Sequence, residues 1–183
     1  MGGSPSPPPA SVLFLTYTAL GFIIVFLFGK KDPSNQDFVQ ELAPVVLITC
    51  GFLVSYEILD VMAVGAAKLK AKGYEPRSSK DDEINHEEVY LAQRVQTNQV
   101  EQVSPFLVGS YSCALLVDGK VAGVLAMLWV ILRRAYAVTY RASVGIPVFK
   151  AGLAKYTVPC YFILNVMLMS SVIQAARVMI AAG

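Results

Sequence analysis

Long uncharged stretches, each about the length of a bilayer crossing, constrain this chain more than any other feature. Ala10 to Gly29 is a run of 20 residues without a charge, and Tyr156 to Ala176 is another of 21. A hydrocarbon core about 30 Å thick takes about 20 apolar residues of helix, so each run predicts a span. Leu42 to Ala67, about 39 Å long at 1.5 Å per residue, predicts a second span in chain order. Glu88 to Val117 and Val121 to Tyr140 predict a third and a fourth helix before the last span. Backbone polar groups in lipid must be satisfied within a helix or a closed barrel, and the runs have helical length. The expected fold class is all-α: a multi-pass membrane four-helix bundle with one additional N-terminal transmembrane helix. At 183 residues the chain has no room for a second sizeable soluble domain.

Composition agrees. The chain is 55% hydrophobic and 15% charged, against about 25% charged for soluble domains. Fifteen Lys and Arg against 13 Asp and Glu give a net charge of +2, with no basic patch interleaved with aromatics, so a nucleic-acid partner is set aside. Cys50, Cys113 and Cys160 lie in apolar stretches without CxxC spacing, and they read as small buried hydrophobes. No metal site is expected; His86, beside Glu87 and Glu88, is expected at the surface.

The expected organisation is a disordered lead at 1–9 (MGGSPSPPP), the extra transmembrane helix at 10–29, and a four-helix membrane domain at 42–183 with a polar loop at 68–88. Asp118, Gly119 and Lys120 make a tight turn, so the third and fourth helices run antiparallel. Gly119 and Gly123 have GxxxG spacing, which points to close helix packing. With five spans, the side holding the N-terminus and the loops 68–88 and 141–155 carries eight Lys and Arg, against four on the other. The positive-inside rule puts that basic side in the cytosol or its organellar equivalent. The first span follows Met1 within ten residues, which favours direct insertion into the endoplasmic reticulum or an organelle membrane.

The chemistry sits on the third and fourth helices. Glu87, Tyr90, Arg94, Asn98 and Glu101 recur every three or four residues and form one helical stripe. Trp129, Arg133, Tyr136 and Tyr140 form another. The antiparallel turn brings both stripes to the same basic membrane surface. Arginines there can grip carboxylates, and Asn98 or Glu101 can take an amide or amine, which suits a small, charged, multidentate solute. Alternatively, Arg94 and Glu101 form interhelical ion pairs that fasten the bundle. Glu57 and Asp60 read either as an ion-linked or proton-linked pair, or as partners of Arg133, Arg134 or a loop lysine.

The run VYLAQRVQTNQVEQVSPFL at 89–107, followed by RRAYAVTYR at 133–141, resembles the MAPEG family, the membrane-associated proteins of eicosanoid and glutathione metabolism. The motifs are Arg94, Asn98 and Glu101 as RxxxNxxE, then Arg133, Tyr136 and Tyr140 as RxxYxxxY. The resemblance covers about 42–180. It implies a homotrimer that binds glutathione as co-substrate between subunits near the cytosolic surface. Its implied ligands are Arg94, Asn98, Glu101 and Arg133, with Lys70 among three candidates, Lys68 and Lys72 being the others, for the family's cation at the end of its first helix. Tyr136 and Tyr140 would position or polarise the thiol, and Arg141 would stand in for a thiol-activating arginine.

The implied activity is a glutathione-dependent transferase or peroxidase acting on a lipophilic electrophile or lipid hydroperoxide at the membrane surface. Gln102 stands where family enzymes place a tyrosine, and 142–149 has no cation. These departures and the extra helix frame the alternative: a non-catalytic accessory subunit of a larger membrane complex of respiratory or photosynthetic type.

Overall fold

The computed structural model describes Val12 and residues 36–71, 80–146 and 151–182. The expected lead at 1–9 and, apart from Val12, the expected span at 10–29 lie outside the described residues, as do Lys72 and Lys150. The elements are α1 (Gln36–Tyr56), a π turn (Glu57–Val61), α2 (Met62–Lys70), α3 (Lys80–Leu116), α4 (Gly119–Arg141) and α5 (Ala154–Ala182). Among the described residues there is no strand. Because α1, the π turn and α2 follow without a break, the described residues form a four-rod, all-α, multi-pass bundle.

Three rods are long and apolar enough to cross a membrane: Val39–Lys70, Gly119–Arg141 and Ala154–Ile180. The fourth, α3, carries its polar residues in its first half, yet it packs against α1, α2, α4 and α5. The helices outrun their sequence-based limits. In particular, the segment expected as a loop at 68–88 is helical to Lys70 and again from Lys80. A charged stretch suits the solvated first turns of a helix as well as it suits a loop, and acidic residues near a helix start are favoured by its dipole. For the same reason His86 lies on a helix and is half-buried, a correction to its expected surface position.

The turn between α3 and α4 is built from backbone and one acid. The amides of Val117 and Asp118 donate to the Cys113 carbonyl at 2.9 and 3.1 Å. Asp118 caps α4, its Oδ1 accepting from Val121 N at 2.8 Å. Glu41 of α1 accepts from the Gly119 amide at 2.7 Å. A methyl group on Gly119 would collide with the Glu41 carbonyl oxygen, and one on Gly123 would stand 2.7 Å from Pro44 Cβ. The GxxxG spacing is therefore a real close approach between α1 and α4.

Above this turn lies the larger core cluster, in which Phe52, Phe106 and Trp129 pack as a trio. Trp129 stacks on Phe106 at 4.0 Å, and Phe52 meets both edge-on. Such aromatic contacts add about 0.5–1.5 kcal/mol each beyond area burial. Cys113 and Cys160 are buried here, as expected. Cys50 is exposed instead, since a residue on the outer wall of a membrane bundle needs no protein partner to leave water.

Candidate functional site

Polar side chains collect at the end of the bundle opposite the α3–α4 turn. The α4 stripe there is buried, its RxxYxxxY spacing placing Arg133, Tyr136 and Tyr140 on the face toward the bundle. Arg133 is only 2% exposed, a position that demands partners for the guanidinium. Its Nη2 donates to Asn98 Oδ1 at 2.8 Å and to the Asn98 carbonyl at 2.9 Å, and its Nε donates to Gln99 Oε1 at 3.0 Å. The Gln99 amide returns a long bond of 3.4 Å to the Arg133 carbonyl. The charge also lies 5.6 Å from the centre of the Trp129 ring and 4.9 Å from that of Tyr136, a cation–π contact on both sides.

Tyr136 and Tyr140 adjoin, their ring centres 5.6 Å apart. Arg94 stands close enough to the Tyr140 phenol to interact with it electrostatically and lies within electrostatic range of Tyr136. Asn98, Arg133, Tyr136, Tyr140 and Arg94 thus form one continuous group across α3 and α4. The two stripes expected to meet do meet.

They differ in what they face. Tyr90, Arg94 and Glu101 are exposed on the outer side of α3. Among the described residues Glu101 makes no hydrogen bond or ion pair, and neither it nor Arg94 forms the interhelical ion pair of the alternative reading. Beside it, Gln102 donates to the Tyr161 hydroxyl of α5 at 3.3 Å.

Lys70 and Arg141 stand apart from this group. Lys70 pairs with Glu88 at 2.8 Å. Arg141 donates to Asp60 Oδ1 at 2.8 Å and to the Leu59 carbonyl at 2.9 Å. Together they edge a groove of about 350 Å³ whose walls are mainly the alanines Ala63, Ala66, Ala67 and Ala92. Within one chain, then, five of the eight expected site residues form the continuous group across α3 and α4, Glu101 lies on the outer side of α3, and two lie around the groove.

Asp60 settles the alternatives left open for it. Its carboxylate is fully buried, with Arg134 Nη1 2.8 Å from Oδ2 and Arg141 Nη1 2.8 Å from Oδ1. The Arg134 contact is one of the expected pairings, and the Arg141 contact adds a partner that the sequence did not indicate. Glu57 is exposed and does not join Asp60, because the π turn between them breaks the shared face that α-helical spacing predicts. Sequence reasoning also missed Gln99, which is fully buried. The signal available was its place beside Asn98 in a helix whose polar half cannot face lipid.

Fold and site together define a multi-pass helical membrane protein with a buried arginine–tyrosine group at one end of the bundle. The MAPEG family model matches residues 46–173, more than half of the chain, and covers every element that carries this group. The protein belongs to the MAPEG family. No curated protein sequence and no solved structure matches the chain.

Proposed function

We propose that the protein binds glutathione at the Arg94–Tyr140 group and uses it on a lipophilic electrophile or lipid hydroperoxide. Membership of the MAPEG family is consistent with glutathione-related or eicosanoid metabolism. The observation that carries the reading is the exposed edge of the group: Arg94 and Glu101 face outward from a bundle whose wall is otherwise largely apolar. At membrane depth such groups need a polar occupant or a second subunit.

In this reading the Arg94 guanidinium takes a glutathione carboxylate, Glu101 takes the amine, and Asn98 and Arg133 hold the peptide part. The Tyr136 and Tyr140 hydroxyls are the donors available to a thiolate, the nucleophilic form of the thiol. The thiolate sulfur then bonds to the electrophilic carbon, expelling a leaving group or adding to a double bond whose other carbon takes up a proton. Alternatively, it attacks the hydroperoxide and breaks the O–O bond, which releases an alcohol after protonation and leaves a glutathione sulfenic acid that a second glutathione converts to the disulfide and water. A homotrimer would cover the outward face of α3 and can supply Lys70 and Arg141 from a second copy as the additional cations. Reaction at the basic membrane surface keeps the peptide in water and the second substrate in lipid, in an endoplasmic reticulum or organelle membrane.

One observation favours the second reading, a non-catalytic subunit of a larger membrane assembly. Arg133, a motif residue, already bonds Asn98 and Gln99, so part of the motif also fastens helix to helix.

Calorimetric titration of the detergent-purified protein with glutathione, together with the thiolate absorbance difference, decides between them. Binding with a thiolate signal is expected, weakened about tenfold or more in Arg94→Ala by loss of a charged hydrogen bond worth about 1.5–3 kcal/mol. Equal affinity in the variant overturns the site assignment. Absence of binding in the unaltered protein, with co-purifying membrane subunits in mild detergent, favours the second reading.

A further inference from the structure

We infer that Asp60 is a positioning residue: from the π turn it fixes the rotation of α4 and so the direction in which Arg133, Tyr136 and Tyr140 are presented. The part of this inference that concerns ligand affinity rests on the glutathione reading above; the part that concerns helix rotation does not.

The two arginines held by Asp60, Arg134 and Arg141, are seven residues apart, which is about two turns of α4 and hence one stripe of its surface. A single contact leaves a helix free to roll about it. Two contacts spaced along the axis and gathered on one carboxylate fix both roll and axial register. The clamp is completed from the same side, since Arg141 also bonds the Leu59 carbonyl and the Arg134 guanidinium lies 5.0 Å from the centre of the Phe52 ring of α1.

Arg133 precedes Arg134 directly, about 100° away around the helix. With Arg134 and Arg141 turned toward the π turn, Arg133 can only stand on the side where Asn98 and Gln99 receive it. Tyr136 and Tyr140 follow it at intervals of three and four. The π turn is what allows this. Across a regular α-helical turn, positions 57 and 60 would share a face, but Glu57 is exposed while Asp60 is fully buried. The widened turn carries the carboxylate inward without bringing Glu57 along, and π turns of this kind recur at functional sites.

The chain has a single tryptophan, Trp129, one turn before Arg133 on α4 and packed against Phe52 and Phe106. Its fluorescence therefore reports the rotation of α4 without any ligand. In full-length protein in detergent, at a temperature where the fold is intact by circular dichroism, Asp60→Asn is expected to move Trp129 emission to longer wavelength. It should also raise quenching by acrylamide and weaken glutathione binding by on the order of tenfold or more. Arg134→Gln, which keeps the Asp60–Arg141 bond, should give the same changes with smaller size. Val89→Ala, buried on α3 outside the core cluster that holds Trp129, serves as a variant that lowers the unfolding temperature without touching the clamp, and its Trp129 emission should match the unaltered protein.

Unchanged emission and quenching in Asp60→Asn overturn the inference. If that variant does not fold, unchanged emission in Arg134→Gln overturns it equally, and a shift there supports it. An equal shift in Val89→Ala also overturns it, because the change would then follow stability alone. If the unaltered protein binds no glutathione, the proposed function fails, while the Trp129 measurement still decides the role of Asp60.

Discussion

The two ends of the bundle are held together by different physics. At the α3–α4 turn, α1 and α4 touch through Gly119 and Gly123 at backbone distance, with a single acid, Glu41, bonded to a main-chain amide. At the opposite end the same two rods are joined through charged side chains, Asp60 with Arg134 and Arg141, and nearby Lys70 ties the first rod to Glu88 of α3. The glycine contact gains dispersion energy from close packing and gives a lipid-embedded bundle a dry seam. The ionic end is costly to desolvate and is weak evidence for stability. A protein that needed only to stay folded could repeat the glycine solution at both ends. The ionic end is the one that carries the motif residues, which is where a membrane protein has reason to keep charge.

This contrast can be tested with four substitutions, read as thermal unfolding by circular dichroism in one detergent at two salt concentrations. The largest effect is expected for Asp60→Ala, which leaves two guanidinium groups without their shared carboxylate. Loss of one partner of a buried pair costs about 3–5 kcal/mol. The arginines are 20% and 24% exposed, so water shares the load and the lower figure applies. A loss no larger than that of an exposed pair would break the comparison.

Gly119→Ala comes next. Its new methyl meets the rigid Glu41 carbonyl, and overpacking of this sort costs about 1–3 kcal/mol; the loss should be the same at both salt concentrations. Glu41→Gln keeps the shape of the acceptor of the Gly119 amide but removes its charge, for an expected loss of about 1 kcal/mol. Lys70→Ala should be smallest, at about 0–1 kcal/mol, because the lysine side chain is 61% exposed. Added salt should shrink that difference further. A large, salt-independent effect at Lys70 would show that the groove is more deeply embedded than its exposure implies.

The contrast also marks what the sequence made legible. Apolar runs of bilayer length and the Asp118–Lys120 turn give the rods and their antiparallel order, because span length and turn chemistry are local properties. The stripes on α3 and α4 were readable from periodicity, and the structure brings Arg133 to Asn98 where the spacing requires it. The π turn was not readable, since its extra residue per turn is set by what Asp60 meets on α4, seventy or more residues later. With it went the separation of Glu57 from Asp60 and the engagement of Arg141 by Asp60. Gln99 was missed for a related reason: the motif spacing selects Asn98, while burial against Arg133 selects its neighbour as well. Cys50 shows the limit of reading burial from hydrophobicity in a membrane chain, where an apolar residue turns to protein or to lipid with equal ease.

The buried face of α4 is graded in size along its length. It runs through Gly119, Ala122, Gly123 and Ala126, then changes to Trp129, Arg133, Tyr136 and Tyr140. Small residues at one end let α1 approach α4 at backbone distance, and at the other end large side chains set the separation between α4 and its neighbours. Shortening one of those side chains can therefore enlarge the space at that end while the glycine contact keeps the helices in place. In such a fold the volume offered to a guest molecule can change by point substitution without a change of scaffold.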